Sequence, residues 1–137
     1  MSDGKAFFDT NVLIYAYSDD DIEKQMKSLK AFNKYERFVS TQVLTEFCNI
    51  ALKKLHLPVT EINTKLSFIT NKCNIIIVDE ADLSRALFIH EKYKYSYYDS
   101  LVIQSALEAG CDFLLTEDMN DGQIIENSLK INNIFKC

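Results

Sequence analysis

Two rhythms of apolar positions alternate along the chain. Short unbroken apolar runs end at Phe8, at Val39-Ser40, at Ile75-Ile76-Ile77-Val78 and at Phe113-Leu114-Leu115-Thr116, as strands buried on both faces of a sheet read. Between them the apolar positions take helical spacing. Ile22, Met26, Leu29 and Phe32 mark an amphipathic helix over 22–35, with lysines between them. Val43, Leu44, Phe47, Ile50, Ala51 and Leu55 mark a second over 41–55. Pro58 breaks the pattern, and Thr60 is placed to cap a further helix to about Asn71. Asp79 can cap a helix from Glu80 to about Lys94, and Leu101, Val102, Ile103, Ala106 and Leu107 define another that begins at Asp99. Gly110 stands where that helix ends, since glycine takes a left-handed cap without a Cβ penalty.

Of the strand-like runs, Ile75–Val78 is the clearest buried strand, being wholly β-branched. Leu129–Phe135 closes the chain as an edge strand. Strands alternating with helices predict an α/β fold, with a mainly parallel central sheet of about five short strands flanked by helices.

Composition narrows the class. The 137 residues suit one domain over 1–137, with room for a real core but not for a second domain. Three glycines and one proline exclude fibrous and linker-rich chains. No apolar run approaches the roughly 20 residues needed to span a bilayer, and MSDGKAFFD lacks the basic and apolar regions of a signal peptide. Cys48, Cys73, Cys111 and Cys137 are scattered singly, as reduced thiols of a cytoplasmic protein are. With only His56 and His90, a zinc site of the usual kind is not expected. The net charge of −5 argues against a nonspecific nucleic-acid coat, although acids that bind a divalent metal also contribute to it.

The candidate chemistry lies in the acids. Asp9 and Asp118 follow strands, Asp99 opens a helix between strands, and Glu46 borders the apolar stripe of its helix. Each alone is explained as a cap, a turn acid or a solvated flank. Together they fall where a parallel sheet gathers its strand ends and helix starts. Carboxylates packed there would repel one another unless cations met them. An oxygen-only set suits Mg2+ or Mn2+. With no activated Ser, Cys or His beside it, such a site suggests metal-activated water attacking a phosphodiester.

Four segments carry a family resemblance: FFDTNVLIYAY around Asp9, VLTEF around Glu46, YYDSLVIQSALEAGC around Asp99, and FLLTED ending at Asp118. In this order they resemble PIN-domain ribonucleases, and most closely the VapC-like toxins of toxin-antitoxin pairs. The tail EDMNDGQIIENSLKINNIF resembles the ending of one branch of that group. The resemblance implies that Asp9, Glu46, Asp99 and Asp118 are the catalytic, metal-holding acids, with Asn11 and Thr116 as polar, substrate-positioning neighbours. Glu117 and Asp121 stand near enough to compete with Asp118 for the fourth place. It further implies Mg2+- or Mn2+-dependent endonucleolytic cleavage of RNA, a homodimer, and inhibition by a small antitoxin. The lysines and tyrosines of Lys92–Tyr98 are placed either to pack or to stack on RNA bases.

Three rivals share parts of the pattern. A haloacid-dehalogenase-like phosphatase would need a second Asp where Asn11 stands. A receiver-like phosphoacceptor would need a paired acid at the first strand and a lysine after the last. A PIN-like scaffold that binds RNA or a partner without turnover would not need all four acids.

Overall fold

The computed structural model describes residues 2–136. In chain order the elements are β1 (Lys5–Phe8), α1 (Thr10–Ala16), α2 (Ile22–Lys34), β2 (Glu36–Ser40), α3 (Thr41–Lys53), α4 (Val59–Lys72), β3 (Asn74–Ile76), α5 (Glu80–Tyr93), α6 (Tyr97–Glu108), β4 (Phe113–Leu115), β5 (Ile124–Ile125) and β6 (Leu129–Asn132). The sheet order is β3-β2-β1-β4-β6-β5. Every pairing is parallel except that of β5 with β6. The α/β fold class expected from the pattern is therefore the observed one, with the two-residue β5 as a sixth strand.

The chain lays β1, β2 and β3 outward on one side, then crosses back to place β4 on the free side of β1. β1 is thus central, and its residues show it: Ala6, Phe7 and Phe8 are wholly buried. Phe8 meets Phe32 of α2 edge to face, with ring centroids 5.1 Å apart. Burying one such ring contributes about 1.5–3 kcal/mol. The crossing also creates a switch point between β1 and β4, where the connections leave the sheet in opposite directions and open a crevice beyond the strand ends.

Several local expectations are corrected. The run Ile75–Val78 is not a buried strand: β3 is an outer strand of the sheet, Ile75 is exposed, and Ile77 is 73% exposed. β-branching reports fitness for a pleated strand, not its depth in the fold. Conversely, Leu129–Phe135 is no edge strand, because β6 ends at Asn132 and lies between β4 and β5. Thr60 does not cap α4. Pro58 occupies the N-cap with no side-chain hydrogen bond, and the carbonyl of Thr60 accepts from the Thr64 hydroxyl. Asp99 does not open α6 either, since Ser96 caps it by accepting from the Asp99 amide. Asp79 does cap α5, within a capping box completed by Asp82. Gly110 takes φ +68°, as a residue just past a helix end does.

The apolar residues of α1 and its C-cap are taken up by the core. Val12 is wholly buried, Ile14 and Tyr17 pack against the core cluster, and Tyr15 stacks on Phe135 at 5.1 Å. The exposed large apolar side chains lie elsewhere. Ile22, Met26 and Leu29 of α2 and Phe68 of α4 form one set, and Leu83, Leu87 and Phe88 of α5 a second. Among the described residues, no helix is long and apolar enough to cross a membrane.

Candidate active site

β1 ends at Phe8, level with Leu115 of β4, so the residues that follow both strands meet at one edge of the sheet. Asp9 is the first of them, and it is 7% exposed. It caps α1: its Oδ1 accepts from the Thr10 amide at 2.8 Å, while its Oδ2 accepts from the Thr116 hydroxyl at 2.8 Å. The same Thr116 oxygen accepts from the Asp118 amide at 3.3 Å, so one hydroxyl ties the ends of the two strands together.

The other acids arrive from three further segments. Glu46, in the second turn of α3, accepts from the Thr10 hydroxyl at 2.9 Å and from Gln42 Nε2 at 3.0 Å. Asp118, in the loop after β4, accepts from Asn11 Nδ2 at 2.9 Å. Asp99 lies in the first turn of α6, where the positive end of the helix dipole favours a carboxylate.

The electrostatics show that these groups share one space. Burial pushes the Asp9 carboxyl up from an ordinary 3.8 to about 6. The hydrogen bonds from Thr10 and Thr116 oppose that rise, and the charges of Asp99 and Glu46 add to it. Asp99 is raised as well, by burial first and then, against the pull of Ser96, by Asp118 and Glu46. Carboxylates that raise one another in this way form a cluster of uncompensated negative charge.

Glu117 and Asp121 are directed elsewhere. Glu117 accepts from the Tyr15 hydroxyl at 2.7 Å and forms an ion pair with Lys24. Burial alone would raise it, but the hydrogen bonds from Lys24 and Tyr15 hold it below the usual carboxylate range. Asp121 Oδ1 accepts from the Asn133 amide at 2.8 Å, fastening the loop to the end of β6. Of the three neighbouring acids, Asp118 is the one whose charge raises Asp99.

Two residues of this site escape a reading of the sequence. Thr10 orients Glu46, and Gln42 braces it from one turn earlier while also donating to the Tyr98 carbonyl at 3.1 Å. The spacing of Gln42 and Glu46, four apart on one helix, was the available signal. The tyrosine-rich segment mostly packs: Tyr93 donates to Glu126, Tyr95 to Gln123 and Tyr97 to the Leu83 carbonyl, whereas Tyr98 is 70% exposed.

The donor set fits a hard divalent cation. It consists of oxygens, and two carboxamide oxygens beside the acids, Asn11 Oδ1 and Gln42 Oε1, are buried with no donor. Among the described residues, no three acidic, histidine or cysteine side chains close tightly enough to encase an ion alone.

Comparison with known proteins places this arrangement. The pattern of the PIN domain matches residues 6–120, which contain all four acids. The chain belongs to the PIN-domain family. No curated protein matches this PIN domain by sequence. Its fold is similar to a chain of a toxin–antitoxin complex from Klebsiella pneumoniae, with a TM-score of 0.73, 19% identity, and coverage of 97% of this chain and 100% of that one. It is also similar to VapBC2 from Rickettsia felis bound to a promoter DNA fragment (TM-score 0.66, 16% identity, 93% and 98% covered). A third likeness is to VapC20 of Mycobacterium tuberculosis, a sarcin–ricin-loop-cleaving toxin (TM-score 0.65, 14% identity, 80% and 87% covered).

Proposed function

We propose that this PIN domain is a Mg2+- or Mn2+-dependent endoribonuclease and the toxin of a toxin–antitoxin pair. The observation that carries the reading is the gathering of Asp9, Glu46, Asp99 and Asp118 from four segments, with Asp9 pushed up to about 6. So much unpaired negative charge costs stability unless a cation or a cationic partner occupies the crevice. Family membership supports nuclease chemistry, and the structural neighbours include a sarcin–ricin-loop-cleaving toxin.

In this mechanism the four acids would supply the negative charge that holds the cation, and the remaining side chains fix the acids. Thr116 and the Thr10 amide orient Asp9, Thr10 and Gln42 orient Glu46, and Asn11 orients Asp118. A cation held there would supply Lewis acidity toward the scissile phosphate and a lowered pKa for a water at neutral pH. Water attacks phosphorus, the bond to the ribose 3′ oxygen breaks, and the products carry a 5′-phosphate and a 3′-hydroxyl. Neither side-chain nucleophile nor histidine base enters; His90 is engaged with the Tyr95 carbonyl.

The same reading includes protein partners. Neighbours solved as toxin–antitoxin complexes support an antitoxin, and an arginine from it would suit the acidic crevice. The two exposed apolar sets on α2–α4 and on α5 provide surface for an antitoxin and a second copy in a homodimer. The deciding experiment incubates the purified, antitoxin-free protein with total RNA, in Mg2+ or Mn2+ against EDTA. Discrete fragments that require metal support the reading. RNA bound but never cut would make the protein a scaffold, and hydrolysis of a small phosphate ester without RNA cleavage would make it a phosphatase.

A further inference from the structure

Lysines recur on α2 at 24, 27, 30 and 34, so the helix carries a cationic stripe beside its apolar face. Lys24 is spent on Glu117. The remaining three are not. Lys27, Lys30 and Lys34 line one side of a concavity of about 310 Å³, and Asn132, Ile134 and Lys136 line the other. Within the described residues, Lys27 forms an ion pair only with Glu23, one turn earlier and mostly exposed, and Lys30, Lys34 and Lys136 form no ion pair. In a chain of net charge −5, four lysines around one hollow are a local reversal of sign.

One end of the hollow adjoins the loop that bears Asp118. Asn132 is level with Leu115, three residues before Asp118. The next residue, Asn133, donates through Nδ2 to the Glu117 carbonyl at 3.4 Å. Lys27 reaches over this junction to the Phe135 carbonyl at 3.5 Å. From there the stripe runs down α2, away from the acids, toward the start of β1, where the Lys34 carbonyl accepts from the Asp3 amide. With a rise of 1.5 Å per residue, Lys27, Lys30 and Lys34 stand about 4.5 and about 6 Å apart along the axis. That is a row of cations suited to successive phosphates of an extended strand, not a point site for one small anion.

We propose that this lysine-lined hollow is the track for the single-stranded RNA backbone on one side of the scissile bond. It resolves a conflict within the nuclease reading, on which it rests: the acids at the crevice repel RNA, so affinity must come from a surface beside them. The track holds phosphates only and reads no base, so it supplies affinity and direction without sequence preference.

The test uses the full chain carrying Lys30→Gln, Lys34→Gln and Lys136→Gln together, three exposed side chains outside the acidic site. Binding of a fluorescent single-stranded RNA of about 15 nucleotides is followed by anisotropy in EDTA, between 50 and 300 mM salt. Each phosphate contact to a single strand contributes about 0.7 to the salt slope. The triple variant should therefore lose about 2 from that slope, and tenfold to a hundredfold in affinity near 0.1 M salt. Unchanged affinity and slope would overturn the track. So would unchanged RNA binding with lost binding of poly-glutamate, which would assign the face to an acidic protein. Because EDTA suppresses turnover, the track can fail while metal-dependent cleavage succeeds, and it can hold even if no cleavage is found. In Mg2+, the variant should show a raised KM with kcat unchanged. A fall in kcat alone would refute a backbone track.

Discussion

Replacing Asp9 with asparagine should stabilise the metal-free protein while removing its activity. Asp9 has a folded value of about 6 against an ordinary 3.8. Its charged form is therefore disfavoured in the fold. Below about pH 3.8 the carboxyl is protonated in both folded and unfolded chains and exerts no net effect. Between 3.8 and about 6 the folded chain binds more protons, so stability falls as pH rises, and above 6 the loss is complete. A separation of about two pH units amounts to about 3 kcal/mol. Asn keeps the shape and the N-cap bond from Thr10, since asparagine is as good a cap as aspartate. It gives up the acceptor for the Thr116 hydroxyl, which costs about 1 kcal/mol. The variant should gain about 1–2 kcal/mol at pH 7.5, or roughly 3–8 °C in Tm for a domain of this size, and should gain nothing near pH 4. Thermal unfolding in EDTA at both pH values measures this directly. Added Mg2+ should raise the Tm of the parent and leave the variant nearly unmoved. Equal melting temperatures at pH 7.5, or the same difference at both pH values, would refute the claim that Asp9 is held against its charge.

Asp99→Asn should cut RNA cleavage by more than the 10- to 100-fold typical of a supporting residue while the fold persists; residual products must still carry a 5′-phosphate, and a 2′,3′-cyclic phosphate would show that the ribose attacks instead. Thr10→Val releases Glu46 Oε2 from its donor and should lower kcat/KM by about 10- to 100-fold; undiminished cleavage would mean that Glu46 needs no orientation. Phe8→Ala should cost about 3–5 kcal/mol by urea denaturation, whereas Ile77→Ser, on a residue 73% exposed, should stay within about 0.5 kcal/mol. Comparable losses at the two positions would contradict the placement of β3 at the border of the sheet.

Three of the four candidate acids sit at boundaries that local signals mark: a strand end for Asp9, the loop after an apolar run for Asp118, the first turn of a helix for Asp99. The sequence misled wherever the answer depended on a remote partner. Nothing near Ile75–Val78 says that only one side of that strand will be paired. Nothing near Leu129 says that it will pair in parallel with β4 and take β5 as its outer neighbour. Glu117 looked like a rival to Asp118 until Lys24, 93 residues away, was seen to hold it. Thr10 was hidden for the same reason, because Glu46 is 36 residues distant along the chain.

Those long-range bonds share an origin. Asp9, Thr10 and Asn11 are consecutive, and each makes a long-range bond: Asp9 to Thr116 and Asn11 to Asp118 in the loop after β4, and Thr10 to Glu46 on α3. Successive side chains of a helix point about 100° apart, so the N-cap and first residues of α1 reach α3 on one side and the loop after β4 on the other. They can do so only because β1 is central and has β2 on one side and β4 on the other. An outer strand would leave one of those directions facing solvent. The switch in strand order and the tripeptide after β1 are therefore one device. The topology surrounds residues 9–11, and their side chains convert that position into fixed distances between acids. Sliding this turn by one residue would break all three bonds at once while leaving each acid in place in the sequence, so the site depends on the register of α1 as much as on the four carboxylates.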